Sequence, residues 1–494
     1  MRAVSLLVVL MLLGGCAVGP DFHRPAPPGA IGYTPAPLPP ETTSAPGPGG
    51  ATQRFVAGRD IPSEWWTLFH SEPLNALIEQ SLKANPTITA AQAALRQARE
   101  NVYAQQGAYY PQISAGFTAS RNLTPLGAVS PASASGSPYY SLITPSLSVS
   151  FVPDIFGANY RAVESLKAQA ENQRFMLEAT YLTLTSNVVA AAVQEASLRG
   201  QIVATEQTIQ IEGNLLGILH KQLDLGQVAG ADVAAQEAAL AQAQLALPPL
   251  QKQLAQQRDL LTELAGRVPS DEVAERFELA MLELPLDLPV SLPAKLVDQR
   301  PDVRAAEAAM HAASAEVGVA VAARLPQITL TGQVGGSSNQ FGPLFGPGYN
   351  FWTIAAGVTQ PIFQGGTLLH KQRAAEAGFD QAAAQYRNTV LTAMQNVADT
   401  LHALQSDADA LRAAVAAERA AALSLQITQS QLRLGQIAYL ALLNAEQTYQ
   451  QARLALVQAQ ANRLADTAAL FQALGGGWWN RTDVAIPAAD KAKG

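Results

Sequence analysis

The chain repeats itself, and this constrains its fold more than any local motif does. A shift of 215 positions carries Pro86, Ala90, Ala91, Ala93, Ala94, Ala98, Val102, Pro111, Gln112 and Ile113 onto identical residues from Pro301 to Ile328. Chance pairing of alanines does not explain the matched prolines. A shift of 207 places Ile155-Phe156 on Ile362-Phe363, and a shift of 209 does the same for Gln222, Leu223, Leu225, Gly226, Gln227, Ala229, Glu237, Leu245, Ala246 and Leu247. Each half therefore holds the same elements in the same order, with small insertions in loops. We expect a first structural repeat over 65-270, a linker over 271-294, a second repeat over 295-477 and a tail over 478-494. Length alone, at roughly 150 residues per domain, would suggest about three domains.

Within each repeat the spacing predicts a helix, a strand hairpin (112-152; 327-360), a long helix (159-225; 367-434), a turn (226-231; 435-439) and a returning helix (232-265; 440-474). Pro86 suits the first position of a new helix, where its missing N–H costs nothing. From Gln112 the period changes from helical to strict alternation. Ile113, Ala115, Phe117 and Ala119 alternate with Ser114, Gly116, Thr118 and Ser120; Ile143, Leu147, Val149 and Phe151 alternate with Thr144, Ser146, Ser148 and Ser150. In the second half Ile328, Leu330 and Val334, then Trp352, Ile354, Ala356 and Val358, keep the same rhythm. Four strands of about ten residues have the length that crosses a bilayer when tilted, apolar face outward and small polar face inward. The alternation alone also fits a soluble antiparallel sheet.

Residues 159 to 225 run for 67 positions without proline. At 1.5 Å per residue such a helix is about 100 Å long. Val163, Ala170, Leu177, Leu184, Ala191 and Leu198 recur at sevens, as do Leu240, Leu247, Leu254 and Leu261, which predicts coiled-coil packing. Pro248-Pro249 is expected to interrupt and kink the returning helix.

Met1-Arg2, an apolar stretch from Ala3 to Leu13 and Gly14-Gly15-Cys16 form a secretory signal over 1-15. The sole cysteine following Leu-Gly-Gly resembles a bacterial lipobox, with Cys16 acylated as the first mature residue; Ala17, rather than Asp, implies delivery to the outer membrane. Residues 16-64, crowded with Pro, Gly, Ala, Ser and Thr, are expected as a lipid-anchored tether, with packing beginning near Trp65-Trp66. After residue 13 no run of about 20 apolar residues appears, so a spanning helix is not expected. A net charge of -7, with 14% of residues charged, excludes a protein built on phosphate neutralisation, hence no nucleic acid. One cysteine allows no intrachain disulfide. The six histidines are scattered without metal-ligand spacing, and Gly475-Gly476-Gly477 lacks the Lys-Ser/Thr of a phosphate loop. Metal, cofactor and catalytic residues are therefore expected to be none.

Four membrane strands cannot close a barrel, since even small outer-membrane barrels need about eight and open edges are not tolerated in lipid. Oligomerisation follows; three copies would give twelve strands, continued by the helices into a polar tube. At this point the sequence resembles the TolC-like outer-membrane factors, specifically the NodT-type outer-membrane efflux lipoproteins. The residues that carry it are Cys16-Ala17-Val18-Gly19-Pro20-Asp21, Trp65-Trp66, Pro153-Asp154-Ile155-Phe156-Gly157, Arg300-Pro301-Asp302-Val303 with Ala306-Glu307, Gln360-Pro361-Ile362-Phe363 and Ala473-Leu474-Gly475-Gly476-Gly477-Trp478. The resemblance implies a mainly α protein with a membrane β-barrel: a trimeric 12-stranded barrel, four strands per chain, continued by a long coiled-coil periplasmic tunnel. It also implies a passive exit channel, docked on a periplasmic adaptor and an inner-membrane pump of the resistance-nodulation-division class.

In such proteins the turns form the periplasmic tip, which here assigns adaptor docking to Gly226, Gln227, Gly435 and Gln436. Asp232 would narrow or cap the tip, or serve as a helix N-cap. Asn444 stands where many relatives carry an acidic ring, which weakens cation capture there. Two other readings stay open, a duct for an ATP-driven protein secretion system and a fibrous coiled-coil lipoprotein; the exported substrate is not legible.

Overall fold

The computed structural model describes residues 17–123 and 139–481. The signal, Cys16 and most of the tail expected over 478-494 lie outside the described residues. In chain order the elements are β1 (Arg54–Ala57), α1 (Glu72–Ala84), α2 (Pro86–Gln106), β2 (Gln112–Leu123), β3 (Tyr139–Phe151), α3 (Ala158–Asp224), α4 (Gly230–Leu264), β4 (Asp287–Val290), α5 (Pro293–Gln299), α6 (Pro301–Ala322), β5 (Gln327–Gly336), β6 (Asn350–Thr359), α7 (Thr367–Arg433) and α8 (Tyr439–Ala473). They gather into two compact units that cut across the sequence repeats. One comprises the described residues through Arg24 with Ala94–Gln173 and Ala306–Tyr386; the other comprises Pro25–Ala93, Arg174–Ala305 and Arg387 onward.

The first unit holds a four-stranded antiparallel sheet in the order β2-β3-β5-β6. Its register aligns the alternating pattern across all four strands. Ile113 faces Val149, which faces Gly332 and then Ile354; Ala115, Leu147, Val334 and Trp352 form the next rung. Because successive side chains alternate between faces, these rungs make one continuous apolar face. It is not covered: Ile113 is 68% exposed, Trp352 74% and Ile354 79%. The opposite face carries Ser114, Ser148, Gln333 and Thr353 in register. Strands β2 and β6 each keep one unpaired edge among the described residues.

The same unit binds the chain just after Cys16. Arg161, almost fully buried, donates to the Val18 carbonyl at 3.1 Å and to Asp21 at 2.7 Å, and its hydrogen bond and charge hold the Asp21 carboxyl below the usual range. Phe22 stacks on His311 at 4.3 Å, and Arg24 pairs with Glu307 at 3.0 Å.

Helices α3 and α7 are each 67 residues long, and α4 and α8 each 35. Val163, Leu177, Leu184, Ala191 and Leu198 of the heptad series are all buried, so the sevenfold recurrence marks the packed seam. Helix α3 contains one stretch long and apolar enough to cross a membrane by length and composition alone, although no run of about 20 consecutive apolar residues occurs in it. More than half of that stretch (56%) is buried inside the protein. Pro248 and Pro249 do not interrupt the returning helix, since α4 continues through both.

In the second unit, polar staples explain why part of the expected tether is packed. Arg463 of α8, fully buried, donates to the carbonyls of Gly49 and Ala51 and to Thr42. Gln53 donates to Thr467 and the Pro285 carbonyl. Strand β1 then pairs in parallel with β4, inside the stretch read as a linker, with Arg54 and Arg59 both paired to Asp287 at 2.7 and 2.6 Å. Composition predicted no buried apolar surface here; side-chain donors from a distant helix bind the backbone instead. Arg258 similarly joins α4 to α3, pairing with fully buried Glu195 at 2.9 Å and with Glu272. Gly475-Gly476-Gly477 is the joint after α8. All three residues have positive φ, and a Cβ on Gly477 would lie 2.4 Å from the Ile61 carbonyl oxygen.

Candidate functional site

The turn after α3 and the turn after α7 close by the same hydrogen bonds, as the duplication requires. Gln227 N–H donates to the Gln222 carbonyl at 2.8 Å and Gly226 N–H to Leu223 at 2.8 Å; Gln436 donates to Gln431 at 3.0 Å and Gly435 to Leu432 at 2.9 Å. Each is a Schellman closure, which ends a helix on a left-handed residue and satisfies its last carbonyls. Gly226 has φ 70° and Gly435 φ 67°. A Cβ at either position meets nothing within 4 Å, so backbone conformation rather than space selects glycine. Leu225 and Leu434, beside them, are both 71% exposed.

Asp232 is not the N-cap of α4. Ala229 holds that place, and the Asp232 carboxylate, three residues on, accepts from the Ala229 N–H at 3.3 Å. It thus supplies the returning half of a capping box and a negative charge at the positive end of the helix. An open groove of ≈ 1180 Å³ runs between the hairpins; Gly226, Gln227, Asp232 and Gly435 line it, whereas Gln436 and Asn444 do not. Asn444 is exposed, while Leu442 and Glu446 on either side of it are buried.

Four residues in this region escaped the sequence reading. Gln236 of α4 donates from Nε2 to the Glu212 carbonyl of α3 at 2.9 Å and to the Glu212 carboxylate. The Tyr439 hydroxyl of α8 donates to Gln236 Oε1, linking the two hairpins. Glu446 lies buried nearby with Oε2 lacking any hydrogen-bond partner. Burial pushes its carboxyl up to about 8, and the adjacent Glu212 charge adds to the rise. Burial also raises Glu212, opposed by its bond from Gln236, and raises the Tyr439 hydroxyl. An apolar shell of Leu219, Val233, Leu425 and Leu442 packs with Tyr439. The available signal was asymmetry between the repeats: at the 209 shift, Glu212, Gln236 and Tyr439 correspond to Ala421, Ala445 and Gly230.

Nothing in this arrangement activates a nucleophile or gathers three metal-ligating side chains among the described residues. A sheet with one face bare and apolar, together with paired 67-residue helices ending in matched turns, defines an outer-membrane channel protein. The family model described as outer membrane efflux protein matches residues 77–267 and 292–476, and the chain belongs to that family. Probable efflux pump outer membrane protein TtgC of Pseudomonas putida is 28% identical over 485 residues, 97% of this chain and 96% of its own. Outer membrane protein OprJ of Pseudomonas aeruginosa is 27% identical over 487 residues, 96% of each chain. Among solved structures, the outer-membrane channel OprN superposes with a TM-score of 0.83 at 25% identity, covering 94% of this chain and all (100%) of its own. The open state of the Neisseria gonorrhoeae MtrE outer membrane channel gives 0.80 at 25% identity, with 94% and 100% coverage. The chain is thus an outer-membrane component of an efflux pump, from a family of channels rather than enzymes.

Proposed function

We propose that three copies of this chain close a twelve-stranded barrel and form the passive exit duct of a tripartite pump for small molecules. The in-register apolar face of the sheet, with its two open edges, carries the reading. Lipid requires every backbone group to be satisfied, so edges must pair with neighbouring copies, and the bare apolar rungs then face the acyl chains. The small polar rungs line the lumen. Cys16, acylated, anchors the chain in the outer membrane, and the segment from Val18 to Arg24 fixes the start of that anchor against the first unit. The turns at Gly226-Gln227 and Gly435-Gln436 form the periplasmic tip and dock the adaptor of a resistance-nodulation-division pump, with Leu225 and Leu434 as apolar contacts. Relatives are named for efflux of toluene and export of pyoverdine, which supports a small-molecule cargo over a protein.

Efflux measured in cells tests this. Cells lacking the chain should accumulate the pump's dye substrate, and the wild-type gene should restore export. Gly226→Val with Gly435→Val should leave the protein assembled in the outer membrane, since no neighbour is struck and the left-handed strain, about 1–2 kcal/mol per site, is confined to the turns, yet fail to restore efflux. Unchanged efflux on deletion would contradict the duct, and full restoration by the double variant would contradict docking at the turns.

A further inference from the structure

The cluster of Glu212, Gln236, Tyr439 and Glu446 is a polar contact buried where apolar side chains would serve packing alone. Glu212 and Glu446 are each 6% exposed and Gln236 0%. The hydrogen bonds run from Tyr439 on one hairpin through Gln236 to Glu212 on the other. Glu446 lines the groove between the hairpins, its Oε2 is buried without a hydrogen-bond partner, and it lies close enough to Glu212 to feel its charge. We propose that this cluster is a proton-operated latch, which joins the two hairpins while Glu446 is neutral and loosens them when Glu446 ionises beside Glu212.

Among the described residues, burial and the Glu212 charge act on Glu446 and no cation offsets them. Glu212 faces it from α3, and Asp232 of α4 adds a further negative charge near Tyr439. Arg433 of α7 lines the same groove and donates to Ser430. His220 on α3 pairs with Glu237 on α4 at 3.7 Å, both about half exposed. A buried carboxyl next to a carboxylate keeps its proton well above the ordinary range, and separating the hairpins would return it to water and to its ordinary acidity. The joined state therefore binds a proton that the separated state releases. Its advantage is complete below the ordinary carboxyl range, declines as pH rises, and is lost once pH passes the raised value of about 8. Since the repeats differ at three of the four positions, the device belongs to the pairing of unlike hairpins. The latch stands on contacts within one chain, whereas its action as a gate rests on the exit-duct reading.

The test uses the full-length protein in lipid nanodiscs with spin labels at Gln227→Cys and Gln436→Cys, both exposed at the turns. Between about pH 5.5 and about pH 8.5 the ratio of separated to joined hairpins should rise at least about tenfold, the effect of one unit of differential shift. Adding Glu446→Gln, a neutral isostere, should hold the distance constant across that range while leaving acid-pH melting unchanged. The proposal is overturned if the labels do not separate in the parent, or if the Glu446→Gln protein separates as the parent does, since His220 is retained in both. Separation that leaves ion conductance in planar bilayers unchanged would uphold the latch and count against the duct's gating at this tip.

Discussion

At the residue scale, two acidic side chains illustrate how context decides what a carboxylate does. Asp232 works on an exposed helix start, so its contribution is the modest one of capping and dipole compensation. Asp232→Ala should lower stability by about 0.5–1 kcal/mol, and Asp232→Asn should recover the hydrogen bond but not the charge. Thermal unfolding of the three proteins decides it, with equal melting temperatures counting against the cap. Asp407 of α7 sits differently: burial pushes its carboxyl from 3.8 up to about 7, with hydrogen-bonded Asp466 adding to the rise and Arg463 opposing it. The folded chain then holds a proton that the unfolded chain releases, so stability falls as pH climbs from about 4 to 7. Asp407→Asn should raise the melting temperature at about pH 8 and change it little at about pH 4. An equal shift at both would mean that the carboxyl is already ionised in the fold.

At the element scale, the membrane strands carry a sharp prediction because register divides them into two faces. Ile354 lies on the apolar face and Thr353, its neighbour, on the polar one. Ile354→Lys should cost about 2–4 kcal/mol of folding stability in bilayers, the range for a lysine facing lipid near the midplane, and Thr353→Lys far less. Denaturant unfolding from vesicles measures both; equal costs would mean that the faces are assigned the wrong way round or that neither faces lipid. The strands, the long helices and the matched turns were legible because each rests on short-range periodicity, doubled by the repeat. What escaped has the opposite character. Arg463 reaches back more than 400 positions to bind Gly49 and Ala51, Tyr439 reaches Gln236 across 203, and β1 pairs with β4 across the whole first repeat. Such contacts leave no local pattern, so the Pro- and Gly-rich stretch read as an extended, lipid-anchored tether although distant donors hold part of it. Asp232 was misplaced by three residues within its helix because alanine, a poor cap by composition, occupies the true N-cap.

At the scale of the whole molecule, one chain is an incomplete object. Among the described residues its sheet stops at four strands, its apolar rungs are bare, and the polar rungs behind them make sense only when wrapped around a lumen. These features require neighbours of the same kind, because only identical copies present a β2 edge to a β6 edge with the apolar pattern continuous around the ring. Twelve strands lie well within the even-numbered range of outer-membrane barrels, whereas a dimer's eight strands would leave an interior that side chains fill. The most direct measurement is the mass of the protein extracted from membranes in mild detergent, by native mass spectrometry with detergent removed in the gas phase. Three copies of the mature chain are expected, each bearing acyl groups on Cys16. A stable monomer, or a dimer soluble without detergent, would contradict it.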